Sequence, residues 1–347
     1  MSEPRAVVIG YGYAGRSFHS YLIGLDSGLR LHGVCSRNAE TRARIVQERG
    51  CRAYESFEQV IADPDVDLVV LATPHDTHAD LAVRAMDAGK HVVTDKPMCT
   101  SLAECDRMIE AAQRNGALLT VFQNRRWDGD FLTLRKLLED GALGELRWLE
   151  MAWQGARPPG GWRGQAAHGG GRLFDLGAHM IDQCTLIFPQ AVQSVYCRMH
   201  HDYADRDVDS HAMVVIGYEG GATAVVDAGG MHFILKPRIY ALGREGSFIK
   251  HGLDPQEAAM RAGDIDAAVE PEKDYGRLKT AERERVVPTL PGRWRSFYEN
   301  VADALAGRTE LAVKAAGVRR AIAVLDAAFR SARSGEVVHT DIPALGD

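Results

Sequence analysis

Gly10, Gly12 and Gly15 follow the apolar run Ala6-Val-Val-Ile in the spacing G-x-G-x-x-G. That pattern suits the turn that receives a dinucleotide. The first glycine allows a tight exit from a strand, the second lets the backbone approach a pyrophosphate, and the third lets the next helix pack closely on the sheet. The phosphates would rest on the free N–H groups and positive dipole end of that helix. Tyr13 and Ala14 lie inside the same cofactor-binding turn. Further on, where an Asp or Glu would accept hydrogen bonds from the adenine ribose, the chain reads Val34-Cys35-Ser36-Arg37-Asn38 and carries no carboxylate. Arg37 can set a guanidinium against a 2′-phosphate and Ser36 can donate to it, which favours NADP and leaves NAD possible. The plain alternative is that Arg37 and Asn38 only begin the next helix.

Two further features could do chemistry. Asp175 and His179 are four residues apart, which puts a carboxylate and an imidazole on one helical face, where the first can orient the second and favour its charged form. Asp182 would extend that stripe, although an ordinary surface pair has the same spacing. Lys96 follows a strand-like run, at the edge of a parallel sheet where ligands bind in such folds.

The elements that must hold these residues follow from hydrophobic periodicity. In the first third, strand-like runs at 29–35, 66–72, 91–94 and 117–122 alternate with helical patterns at 18–25, 39–48, 79–88 and 102–115, which implies a doubly wound parallel sheet. After Gln123 the pattern changes. A helix at 130–139 and a strand at 146–153 precede a stretch rich in Gly and Pro (157–171), then a long helix at 173–188. Strand-like runs at 194–198, 211–218, 222–228 and 234–241 follow, with Glu219-Gly220-Gly221 as a hairpin turn. Residues 251–291 read as irregular surface, and helices at 294–306 and 311–334 close the chain. The expected fold is α/β, an N-terminal Rossmann domain over 1–123 and, over 124–347, a substrate-binding and oligomerisation domain with a mainly antiparallel open sheet.

Composition bounds the partners. The 347 residues are 46% hydrophobic and 25% charged with a net charge of −6, which describes an ordinary globular protein and argues against nucleic acid or an anionic membrane as partner. The six cysteines form no C-x-x-C pair, and no apolar run reaches about 18 residues. No signal peptide is expected before the first strand. The expectation is a cytoplasmic protein with reduced thiols.

Leu71-Ala-Thr73-Pro74-His75-Asp-Thr-His78 and Thr94-Asp95-Lys96-Pro97, together with Asp175-Leu-Gly-Ala-His179, are the stretches in which the chain resembles the glucose–fructose oxidoreductase and inositol dehydrogenase (Gfo/Idh/MocA) family. The family usually carries Glu-Lys-Pro where this chain has Asp95. The resemblance implies that Lys96 reaches the substrate as a catalytic residue, that Thr73 and Pro74 line the cofactor near its ribose, that His78 caps or orients their loop, and that Asp95, shorter than the usual Glu, weakens or repositions a bond to the nicotinamide ribose. Gln123–Phe131 and Gly161-Trp162-Arg163 are most similar to the subgroup with NADP-dependent scyllo-inositol dehydrogenases. In that setting Trp162 and Arg163 approach the nicotinamide half, and Arg126 or Trp127 shapes the substrate site or pins the domains.

The implied chemistry is hydride transfer between NADP and a secondary alcohol or ketone of a cyclic polyol or sugar. His179 would be general base, Lys96 the cation on the reacting oxygen, and Asp175 the group that orients His179. No metal is expected, because His75/His78 and His200/His201 lack accompanying ligands. Two rivals remain open at this point: a glycosidase that retains its NAD(P), and a non-catalytic nucleotide sensor of the same fold. A homodimer or homotetramer is expected by resemblance.

Overall fold

A computed structural model describes residues 3–346. By Cα packing the chain divides into two compact units, Met1–Gln123 with Trp294–Arg319, and Asn124–Arg293 with Arg320–Asp347. The second unit is therefore not one continuous stretch, because a C-terminal segment returns to the first.

In the first unit six strands, β1 (Arg5–Ile9), β2 (Arg30–Cys35), β3 (Arg52–Tyr54), β4 (Leu68–Leu71), β5 (His91–Thr94) and β6 (Leu119–Val121), form a parallel sheet in the order β3-β2-β1-β4-β5-β6. This is the doubly wound arrangement implied by strand–helix alternation. Its central strands carry apolar cores because helices cover both faces; Val7, Val8, Val69, Val70, Val92 and Val93 are wholly buried. Local signals fix the helix ends. Ser101 Oγ accepts from the Glu104 amide, Glu104 reaches back to the Thr100 amide at 2.9 Å, and Gly116 closes helix Leu102–Asn115 at φ +58°. Trp294, Phe297 and Tyr298, from the returning segment, pack with Phe18 and Phe122 in one aromatic cluster.

The second unit is built on β7 (Leu146–Gln154), β8 (Val192–His200), β9 (His211–Tyr218), β10 (Thr223–Gly229), β11 (Ile239–Gly243), β12 (Gly246–Lys250), β13 (Gly276–Thr280), β14 (Glu284–Val287) and β15 (Val338–Ile342). They make one sheet in the order β14-β13-β12-β11-β7-β10-β9-β8-β15. Only β7 and β10 pair in parallel. Gly220 and Gly221, both at φ +81°, make the hairpin between β9 and β10.

Three expectations are corrected. The strand anticipated over 234–241 begins only at Ile239: Phe233, Ile234 and Leu235 form an exposed apolar loop, so their hydrophobicity marks no buried strand. The stretch 251–291, expected to be irregular, contains helix Gln256–Arg261 and the hairpin of β13 and β14. That hairpin ends the sheet, and its two short strands bury only Leu278 and Val287 as apolar side chains, too few for a period-2 pattern to stand out. The continuous helix expected over 173–188 is a π-helical turn, Leu173–Gly177, running into an α-helix, Ala178–Ile187.

Candidate active site

At the end of β1 the chain turns through Gly10 at φ +97°, with its amide bonded to Cys35 O at 3.0 Å. A Cβ on Gly10 would stand 2.6 Å from Ala72 O, and one on Gly15 would stand 2.0 Å from Gly10 O, so these two glycines interlock the turn with the helical segment Ala14–Ile23. Gly12 is different: nothing lies within 4 Å of the place a Cβ would take. The backbone there is open to a pyrophosphate, and the turn fits a dinucleotide. Tyr13 is 44% exposed beside it, edge-on to Phe18.

The end of β2 carries no carboxylate from 35 to 38. Asn38 Oδ1 caps helix Ala39–Arg49 through the Thr41 amide at 2.8 Å, and Ser36 Oγ accepts from the Asn38 amide at 3.3 Å. Arg42 Nη1 donates to the carbonyls of both Ser36 and Arg37, at 2.9 and 2.8 Å. The loop is thereby clamped, while the Arg37 side chain is exposed and makes no hydrogen bond or ion pair among the described residues.

Two loops after β4 and β5 are tied together by one buried imidazole. His78 holds its ring nitrogens 3.1 Å from Thr73 O and 3.0 Å from Pro97 O. Burial pushes its pKa down, outweighing the nearby Asp95 charge and the two carbonyls. Thr73 Oγ1 meets Thr77 Oγ1 at 2.6 Å, and Thr77 Oγ1 donates to Pro74 O at 2.7 Å. Asp95 Oδ1 accepts from the Lys96 amide at 2.7 Å, and Lys96 is buried, with a cis peptide to Pro97. Sequence reasoning missed the partner of Asp95. His19 Nε2 lies 3.6 Å from Asp95 Oδ2, and its Nδ1 lies 2.6 Å from the hydroxyl of Tyr298. Burial opposes charge on Asp95, but His19 and Lys96 outweigh it and hold the carboxyl well below the ordinary range. The available signal was a histidine within the amphipathic run 18–25.

In the second unit Arg163 Nε donates to Asp175 Oδ1 at 2.9 Å and Arg172 Nη1 lies 3.6 Å from Oδ2, so Asp175 sits between two guanidiniums. The Arg163 guanidinium also covers the Trp162 ring at 4.4 Å. One turn later His179, buried, stacks on Trp153 at 5.7 Å between ring centroids. Trp153 in turn lies against the guanidiniums of Arg125 (4.5 Å) and Arg238 (5.5 Å). Arg238 bonds Asp130 and Gln183, at 3.2 and 3.1 Å, and is itself buried. These supports behind His179 carry no local sequence signature. Arg126 is committed to a bidentate pair with Asp182, at 2.8 and 2.7 Å. Trp127 accepts through its carbonyl from the Arg293 amide at 2.9 Å.

Known proteins resemble the chain over nearly its whole length. Residues 4–123 match the oxidoreductase family with an NAD-binding Rossmann fold, and residues 131–249 match the GFO/IDH/MocA C-terminal domain. The chain is 33% identical to the oxidoreductase YdgJ of Escherichia coli (strain K12), over 95% of this chain and 96% of that protein. It is 30% identical to the scyllo-inositol 2-dehydrogenase (NADP(+)) IolW of Bacillus subtilis (strain 168), over 95% and 94%. Among solved structures, an NAD-binding protein from Listeria innocua superposes with a TM-score of 0.85 at 33% identity, covering 97% of both chains.

Proposed function

Because the chain belongs to the GFO/IDH/MocA family of NAD(P)-dependent oxidoreductases, we propose that it uses NADP and acts on a secondary alcohol or ketone of a cyclic polyol, inositol-like, or of a sugar. The carrying observation is the loop after β2. Ser36 and the exposed Arg37 stand where a ribose-binding carboxylate would otherwise be, on a backbone clamped by Arg42. End-to-end similarity to an NADP(+) scyllo-inositol 2-dehydrogenase supports the substrate class.

The cofactor, when bound, supplies the hydride acceptor or donor. Gly10, Gly12, Tyr13, Ala14 and Gly15 would hold its pyrophosphate; Ser36 and Arg37 its 2′-phosphate; Thr73, Pro74, His78, Asp95, Lys96, Trp162 and Arg163 its nicotinamide half. His179 takes the hydroxyl proton of the alcohol, and in the reverse direction its imidazolium returns that proton to the oxygen. The Lys96 ammonium hydrogen-bonds the same oxygen and stabilises negative charge on it. Asp175, anchored by Arg163, orients the imidazole one helical turn away. Arg126 and Trp127 shape the substrate site, Arg126 through its pair with Asp182.

The test is turnover of purified protein with NADP⁺ and with NAD⁺ against inositols, aldoses, ketoses and aryl glycosides, recording reduced cofactor and glycoside cleavage separately. A polyol or sugar should reduce NADP⁺ in preference to NAD⁺. His179→Ala should lower that turnover by about 10²–10⁴-fold with NADP affinity unchanged. Glycoside cleavage without net reduction, or normal turnover by His179→Ala, would overturn the proposal.

A further inference from the structure

The antiparallel pairing of β9 with β10 sets His211 opposite Gly229, so His211 is the diagonal neighbour of Asp227 on one face of the sheet. Its Nε2 lies 2.8 Å from Asp227 Oδ1. The turn after β10 then folds back, fixed by the His232 amide donating to Gly155 O at 2.8 Å, and brings a second imidazole to the same carboxylate. One ligand atom from each of His211, Asp227 and His232 lies within 4.8 Å of the others. Sequence spacing could not reveal the set, because strand register and a returning turn assemble it.

We propose that His211, Asp227 and His232 form a binding site for a divalent transition metal of the zinc type, which fastens the turn after β10 to the sheet.

Four observations support it. Two imidazoles and a carboxylate are a donor set that suits zinc and disfavours magnesium or calcium, which prefer oxygen alone. The His232 Nδ1 is buried and has no hydrogen-bond partner among the described residues, a vacancy that a ligand would fill. Gly229 makes the space: a Cβ there would stand 2.2 Å from His232 Cε1, 2.6 Å from His232 Nδ1 and 3.1 Å from His211 Cδ2. Finally, the second shell is in place. Gln154 Nε2 donates to Asp227 Oδ1 at 2.9 Å, and Lys236 Nζ bridges Asp227 Oδ2 and Glu150 Oε1 at 2.8 Å each. Ligating carboxylates are ordinarily held by such outer bonds.

The charges around the cluster agree with this assignment. With neutral imidazoles, Asp227 and Glu150 outnumber Lys236 and leave the cluster with one net negative charge.

Zinc ligands at about 2.0–2.2 Å stand roughly 3.4 Å apart, so on binding the His211–Asp227 pair, now 2.8 Å apart, must open slightly and the turn must adjust around His232. The turn allows it: Met231, Phe233, Ile234 and Leu235 around His232 are exposed. The site is separate from the candidate active site. Trp153 faces His179, so its neighbour Gln154, and with it the Asp227 cluster, lies on the opposite face of the sheet.

The experiment is a zinc titration of the chelator-stripped full-length protein, in competition with a chromophoric chelator. Wild type should bind one ion per chain with micromolar or tighter affinity and be unaffected by excess Mg²⁺. His232→Ala and His211→Gln should each bind at least about tenfold more weakly while keeping wild-type NADP affinity, which shows that they fold. Cobalt in place of zinc should give visible absorption that is lost in both variants. If wild type takes up no zinc at micromolar concentration, or if both variants bind it as wild type does, the site does not exist. Asp227 is left unmutated because its ion pair with Lys236 would also be lost.

Discussion

Arg37 is a charged side chain with no protein partner among the described residues, on a loop whose backbone is held by another arginine. If its guanidinium serves a 2′-phosphate, Arg37→Ala should weaken NADP binding by about 1.5–3 kcal/mol, the range for hydrogen bonds to charged groups, and leave NAD binding nearly unchanged. Fluorescence titration of both cofactors checks this, and equal losses would remove Arg37 from cofactor choice. The residue types at the candidate site were legible from the sequence, but their partners were not. Arg163 comes to Asp175, Arg126 to Asp182, and His19 to Asp95. None of these pairings follows from a motif. Asp95 shows the consequence: its departure from the family's Glu was plain in the sequence, whereas the His19–Tyr298 pair beside it depends on a helix nearly three hundred residues away.

At the scale of elements, the turn between β1 and its helix separates two functions that one glycine pattern combines. Gly15→Ala places a methyl 2.0 Å from a backbone oxygen. The helix must move off the strand, and the protein should lose about 1–3 kcal/mol of stability along with cofactor binding. Gly12→Ala meets no protein atom within 4 Å, so its unfolding temperature should stay at the wild-type value while NADP affinity falls at least about tenfold, because the methyl occupies the approach of the pyrophosphate. Thermal melts with and without NADP check both; a Gly12→Ala protein that binds normally would take the phosphates away from this turn. The same scale explains what periodicity could and could not reveal. Strands buried on both faces, such as β4 and β5, announce themselves as apolar runs. The β13–β14 hairpin carries Arg277, Lys279, Glu284 and Arg285 on exposed positions and shows no such run, and the apolar Phe233-Ile234-Leu235 is surface.

At the scale of the whole molecule, no helix among the described residues is long and apolar enough to cross a membrane, and the first unit owes part of its core to the returning segment. Trp294 is wholly buried and stacks on Phe18 at 5.5 Å. Trp294→Ala should cost about 3–5 kcal/mol, the range for emptying a large aromatic site, and denaturant unfolding followed by fluorescence checks it. A loss below 1 kcal/mol would show that the segment is dispensable to that core. The split has a further consequence for how the chain is made. Residues 1–123 leave the ribosome first, but the aromatic residues that cover Phe18 and Phe122 are not synthesised until residues 124–293 have followed. The nascent Rossmann sheet therefore waits with an uncovered apolar flank while about half of the chain is made, when chaperone capture or a premature stop would have its largest effect.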